Sequence, residues 1–395
     1  MATRFRSNGP WALLFLTLGM AGCAGAPVRH PASEETVTMP PLEVQGDAAL
    51  ARMNAEELFA NGASAYGSGD WARAAACFER LVLAYPESPH LLLAQYNAGL
   101  ARERMTDWQE ARGHFAAIGD PGGSGDALDA AFHLAETLYH LGRYAEAADL
   151  LGQMAGRQEL PVGRRLEAQV QQGVCEVEDG RLDAGEKTLR QALAVWTNAE
   201  DRDRLDDYFP GQAQFFLGEI YRLHYASVHL NPEQGADQLA KDLEFKAELL
   251  LSAQGHYFRT IKIGNAYWAT AAGTQIGGLY QDMYQQISES QAPSELKEEE
   301  ARVYRQELRK RVRVLLTKAI TVYESTLAAA ERLGSSGPFI DRAREGLERM
   351  KQLLLADAAE DAPAAASPPA SQGTSEQPRP LDPAPAARAA SGGSG

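Results

Sequence analysis

The chain has 395 residues and a formal net charge of −15, from 38 Lys and Arg set against 53 Asp and Glu. That deficit of cations excludes a sequence-independent grip on phosphate backbones, so no nucleic-acid partner is expected. Residues of the AVILMFWYC set make up 45% and charged residues 23%, a composition that folds, while three cysteines (Cys23, Cys77, Cys175) with no C-x-x-C pair exclude a disulfide framework and a thiolate zinc site.

Residues 1–22 read as a cleavable export signal: Arg4 and Arg6 precede the apolar run 11–18, and small residues lead on to Cys23. The run is well short of the roughly 20 residues that span a bilayer, and no later segment reaches that length. The motif Leu18-Gly-Met-Ala-Gly-Cys23 resembles the bacterial lipoprotein signal, which implies that Cys23 is the acylated (palmitate-type) first residue of the mature protein. Several acyl chains on one residue give stable anchoring. Ala24 after the cysteine implies, within that family, delivery to the outer membrane, facing the periplasm. Residues 23–50, with Pro27, Pro31, Pro40 and Pro41 and few large apolar groups, are expected to form the lipidated cysteine and a flexible tether.

Between residues 51 and 290 the chain repeats. A turn followed by a bulky residue recurs at Gly69-Asp-Trp71, Thr106-Asp-Trp108, Gly142-Arg-Tyr144 and Gly180-Arg-Leu182, at intervals of 37, 36 and 38. Gly62, Gly99, Ala135 and Gly173 keep the same step upstream, as do Ala74, Ala111, Ala147 and Gly185 downstream. Each unit reads as two amphipathic helices joined by a tight turn, for example 126–141 and 144–155, which predicts an all-α array of αα-hairpins. The small residues are expected where the paired axes come closest, since a bulky side chain there would pry them apart.

Ala74-x-x-x-Phe78 with Pro86, and Ala111-x-x-x-Phe115, resemble the second helix and exit of the tetratricopeptide repeat, and Leu217-Gly218-Glu-Ile-Tyr221 its first helix. The resemblance runs from residue 55 to about 196 and again over 211–225, and it implies a tetratricopeptide-type solenoid. Ile276-Gly277-Gly-Leu-Tyr280 is similar to the same first-helix motif, but it lies 59 residues after Gly218, which itself lies 45 after Gly173, so insertions or longer helices must fill the gaps. The stretch 266–280 and the helix after it also resemble the C-terminal part of repeat proteins of gliding-motility and related envelope machinery.

In 291–356 we expect one long helix, 296 to about 333, and after the Gly334-Ser-Ser-Gly337 turn a second, 338 to about 356, folding back to cap the open end. From 357 to 395 the only large apolar residue is Leu381, so an unstructured Ala/Pro/Ser/Gly tail is expected.

Motifs that carry chemistry are missing. No Gly-x-x-x-x-Gly-Lys loop, His-Glu-x-x-His helix or Gly-x-Ser-x-Gly elbow is present. The glycine run 119–125 has no strand or lysine beside it and reads as an inter-repeat turn. The acids of 200–207 lack the central glycine of a calcium loop. His133 and His140 share a helix face without a third ligand and read as surface residues. Cys77 and Cys175 fall within repeat helices as small hydrophobes. The basic run from Arg302 to Arg313 reads as a solvated face balanced by Glu298, Glu299 and Glu300. No catalytic residue, cofactor, metal or small-molecule substrate is expected, and an envelope hydrolase, the reading of another class, finds no catalytic constellation.

The functional expectation is a non-catalytic scaffold that binds protein partners in the cell envelope. First helices of stacked hairpins line the concave side, and the free face of each carries Phe59 and Tyr66; Tyr96, Glu103 and Arg104; Phe132, Glu136, Tyr139 and His140; Val170, Val177 and Glu178; and Phe215, Glu219 and Arg222, of which Tyr66, Tyr96, Arg104, Phe132, Tyr139, His140 and Arg222 are the expected partner contacts. Aromatics with arginine suit a partner-binding groove, although longer repeats could close it and make these residues core. An envelope machine for motility or secretion is the first reading, and an accessory lipoprotein of outer-membrane β-barrel assembly the second.

Overall fold

The computed structural model describes residues 49–119, 125–290, 292 and 297–361. The expected export signal, Cys23, nearly all of the expected tether, residues 120–124 of the glycine run and the expected tail from 362 onward lie outside the described residues. Among those described the chain is all-α, with thirteen α-helices and no strand.

Twelve helices form six successive antiparallel hairpins: α1 (Ala55–Gly67) with α2 (Trp71–Ala84), α3 (Leu91–Arg104) with α4 (Trp108–Ala117), α5 (Asp126–His140) with α6 (Tyr144–Ala155), α7 (Val162–Glu178) with α8 (Leu182–Thr197), α9 (Tyr208–Ser227) with α10 (Ala236–Ile263), and α11 (Ala266–Ser288) with α12 (Glu298–Leu333). The thirteenth, α13 (Pro338–Asp361), packs on α11 and α12 and closes the array.

The first four hairpin turns share one hydrogen-bond pattern. In the first, Gly69 N–H donates to the Tyr66 carbonyl and Asp70 N–H to that of Ala65, and the same pair of bonds returns at Thr106/Asp107, Gly142/Arg143 and Gly180/Arg181. This closure demands a left-handed residue at its centre. Gly69, Gly142 and Gly180 supply it at φ 82°, 71° and 78°, and Thr106 is forced into it at φ 58°.

Within each hairpin a small residue of the first helix faces a large one of the second. A Cβ on Gly62 would meet the Phe78 ring at 2.8 Å, one on Gly99 the Phe115 ring at 2.6 Å, and one on Gly173 the Leu189 side chain at 2.7 Å. The close approach expected from the sequence is therefore realised, and it continues further along the chain: Gly218 lies against Tyr257 and Gly277 against Tyr323. Each large residue stands four after a small one: Ala74/Phe78, Ala111/Phe115, Ala147/Leu151, Gly185/Leu189, Ala253/Tyr257 and Ala319/Tyr323. Polar ties join neighbouring hairpins as well. Glu79 of α2 accepts from Arg102 Nε (2.6 Å) and Nη2 (2.9 Å) and faces His114 Nε2 (3.2 Å). Burial alone would raise its pKa, but these bonds outweigh burial and hold it at about 2.

As expected, long helices and an insertion fill the gap between Gly218 and Gly277: α9, α10 and α11 run to 20, 28 and 23 residues, and the loop 228–235 adds the rest. Three boundaries differ from expectation. The array extends past residue 290, because α12 is the second half of a sixth hairpin whose Tyr323 is the large residue opposite Gly277. Helix α13 continues to Asp361, and Asp357 is buried with its Oδ2 accepting from Tyr284 (3.1 Å), so the first residues of the expected tail are helical. At the other end Leu50, placed in the tether by sequence, is buried against the first hairpin.

Candidate functional site

First helices of successive hairpins touch one another directly, α3 with α5, α7 with α9 and α9 with α11. That contact puts them on the inner, tighter side of the array, where a partner would sit. The residues expected to line this side divide by burial. Tyr96, Phe132 and Tyr66 are 1%, 6% and 7% exposed, so they fill space between helices where an open groove was expected. Tyr96 sets its ring edge against Phe115, and Phe132 lies under the Arg164 guanidinium at 4.1 Å. Arg104 is exposed beside the Trp71 ring (5.7 Å) and the Tyr66 hydroxyl (3.5 Å). Tyr139, His140 and Arg222 are half-buried. His140 stacks on Trp108 at 3.9 Å, and the Tyr139 hydroxyl faces Glu178, while burial raises its pKa.

His133 is not the surface residue that its spacing from His140 suggests: its ring is stacked on Phe115 (5.1 Å, 17°), Nδ1 faces Glu103 at 3.1 Å, and only 13% of its side chain is exposed. Sequence spacing missed this because Glu103 comes from the preceding hairpin.

The inner row opens at its C-terminal end into a cavity of about 400 Å³, within the range of pockets that take ligand side chains. Its floor is apolar, from Phe215 and Phe216 of α9, Tyr267 and Trp268 of α11, and Phe339 of α13, and Leu223 stands at its mouth, 36% exposed. Glu178, Glu219, Arg222 and Arg342 supply charge around it. Trp268 is buried, and its indole Nε1 has no hydrogen-bond partner among the described residues. Glu219 is held from three sides: Arg222 Nε donates to Oε2 (2.8 Å), the Tyr257 hydroxyl to Oε1 (2.5 Å), and Gln275 Nε2 also to Oε1. The Glu219 carboxylate, against the cost of burial, raises the pKa of Arg222 and keeps it charged. Burial first, and then Glu219, raise the pKa of Glu178, which stands beside the Glu219–Arg222 ion pair. Such an arrangement can seat an apolar side chain and bond the polar backbone around it, and it presents no nucleophile with a base.

Of the residues expected on the free inner faces, Val177, Glu178, Phe215, Glu219 and Arg222 border this cavity. Tyr267 and Trp268 of the aromatic block 266–280, and Phe339 and Arg342 of α13, complete it from segments where the stretched repeat interval gives no groove position.

Residues 59–124 and 96–158 match the profile of the tetratricopeptide repeat family. The matched stretch runs from within the first helix of the first hairpin to just past the end of the third. No curated protein matches the chain. Among solved structures, it is similar to the apo form of RapI (8% identity, TM-score 0.42, covering 78% of this chain and 100% of that one). It is also similar to a tetratricopeptide repeat protein from Parabacteroides merdae (13%, 0.35, 75% and 98%) and to a repeat protein from Bacteroides fragilis (11%, 0.29, 76% and 99%). At TM-scores this low the superpositions bear no weight on function.

Proposed function

We propose that the protein is a non-catalytic scaffold, hung by lipid from the periplasmic face of a bacterial outer membrane, that holds protein partners of an envelope machine for motility or secretion. Repeats of this type serve protein interaction, and the cavity between α9, α11 and α13 carries the reading: it offers an aromatic floor, a charged rim and one exposed leucine at the mouth. Anchoring follows from Arg4, Arg6, the apolar run 11–18 and Cys23 in a lipoprotein-like setting.

The test is crosslinking pull-down from intact envelopes with the full chain and with Leu223→Glu and Arg342→Glu. Both substitutions lie at the cavity without filling the core, so the expected result is loss of the captured partner with an unchanged melting temperature. Capture of the same partner by both variants would refute the cavity as the docking place. Palmitate labelling that persists in Cys23→Ser would refute the anchor. Recovery of outer-membrane β-barrel assembly proteins in place of motility or secretion components would move the protein to that machine.

A further inference from the structure

We propose that Glu103, His133 and Glu136 bind one divalent transition-metal ion of the zinc class between the second and third hairpins. His133 and Glu136 stand three residues apart on one face of α5, and Glu103 reaches them from the last turn of α3. His133 Nδ1 lies 3.1 Å from Glu103 Oε1 and 3.7 Å from Glu136 Oε2, and one donor atom from each residue falls within 4.8 Å of the other two. Bonds of about 2.0–2.1 Å to a tetrahedral ion set neighbouring donors roughly 3.3 Å apart. The two distances from His133 therefore need to change by only a few tenths of an ångström, and the carboxylate oxygens of Glu103 and Glu136, within 4.8 Å of each other, need to close by at most about 1.5 Å.

The imidazole is fixed before any ion arrives. Phe115 stacks on one face at 5.1 Å, and the Tyr96 ring meets it edge-on at 5.6 Å. A ligand that cannot turn has little freedom left to lose on binding. Burial is also uneven, with Glu103, His133 and Glu136 side chains 9%, 13% and 18% exposed, so the cluster is shielded yet approachable past Glu136.

The local charge is unbalanced in favour of a cation. Arg164 is already shared between Asp129 and Glu167, each at 2.6 Å. That leaves two carboxylates of the cluster to one imidazole and to Arg104, whose field also reaches Glu136. Glu136 accepts no hydrogen bond from any described residue, and its ion pair with His133 at 3.7 Å is its one direct polar contact. A buried carboxylate so poorly served is costly, and a divalent ion would serve both carboxylates at once.

One nitrogen and two carboxylates select the ion. Calcium wants six to eight oxygens and magnesium an octahedron kept largely by water, whereas imidazole with carboxylate suits zinc and its neighbours. Three protein ligands leave a position open for water or a partner's side chain. The bound ion would tie α3 to α5 across the hairpin boundary.

To test this, the full chain is stripped with a chelator and titrated with Zn²⁺ by calorimetry and with Co²⁺ by visible absorption. We expect about one ion per chain, the intense visible bands of four- or five-coordinate Co²⁺, and a raised melting temperature. Glu136→Gln and Glu103→Gln keep shape and should weaken Zn²⁺ binding about a hundredfold or more with unchanged far-UV circular dichroism. Because His133 packs on Phe115, His133→Asn could unfold the region, and in that event the two glutamine variants decide. Undiminished Zn²⁺ affinity in both glutamine variants, or no Zn²⁺ binding by the parent chain, overturns the proposal.

Discussion

Replacing Gly346 by alanine tests whether helix spacing in this array is set by single atoms. Gly346 lies on α13, and a Cβ there would stand 2.6 Å from Cζ, 2.7 Å from Oη and 2.8 Å from Cε2 of Tyr323. Tyr323 cannot step aside, because its other edge is already pressed on Gly277 of α11. Helix α13 must therefore retreat by roughly 1 Å, which forfeits a quarter to a half of the dispersion attraction at that seam. Overpacking of this kind costs about 1–3 kcal/mol, against which alanine returns at most ~1 kcal/mol of helix propensity. The net loss of about 1–2 kcal/mol falls on the seam that Phe339, Ile340, Ala343 and Met350 bury. Hydrogen exchange across 338–357 should accelerate about 5- to 30-fold, with the second and third hairpins unaffected. The paired control is Gly113→Ala in α4, where a Cβ meets nothing within 4 Å and a gain of roughly 0.5–1 kcal/mol is expected. If Gly346→Ala stabilises α13 as Gly113→Ala stabilises α4, the wedge argument fails.

Three further outcomes follow from particular residues. Thr106→Gly should raise the urea midpoint by the equivalent of about 0.5–1 kcal/mol, because Thr106 occupies a left-handed turn at φ 58° that its three equivalents fill with glycine; a lowered midpoint would refute the strain. Lys246 is fully buried, donates to the Tyr225 and Val228 carbonyls at 2.7 Å each, and so closes the end of α9. Lys246→Met should cost about 1–3 kcal/mol by leaving the Val228 carbonyl without this donor and the Tyr225 carbonyl with only the Val228 N–H (3.3 Å), read as a lower melting temperature, and no change would show that water replaces it. His256 takes a hydrogen bond on Nδ1 from the Gln214 amide (2.6 Å), and burial, with Arg259 and Arg190 nearby, lowers its pKa to about 4. The folded state thus resists a proton that the unfolded chain accepts below its ordinary value near 6.5. Stability should be complete above pH 6.5 and fall by about 3 kcal/mol as pH drops to 4, a slope that His256→Gln should remove in pH-resolved urea titrations.

The spacing of Gly69, Thr106, Gly142 and Gly180 was enough to place four hairpin turns, because each closure needs one residue in a conformation that most side chains avoid. The small-to-large pairing was half legible: Gly62, Gly99 and Gly173 were found by their step, and Phe78 and Phe115 by their motif, yet Tyr257 and Tyr323 went unrecognised as their counterparts. The long α9 to α12 stretch the interval and so hide a period that the packing still obeys. Tyr96 and Phe132 looked like groove residues, since helical periodicity assigns a face but cannot tell whether a neighbouring helix covers it.

Local chemistry along the chain therefore determined the all-helical character and the first four turns, each of which depends on residues within a helix turn or two of one another. Contacts between residues 30 to 130 positions apart settled the rest: the burial of the inner aromatics, the cavity that Phe339 closes over Phe215 and Trp268, and the meeting of Glu103 with His133. Such meetings depend on how far each hairpin is rotated and shifted against the next. That rotation is set by the whole packed seam of side chains, which no short window of sequence contains.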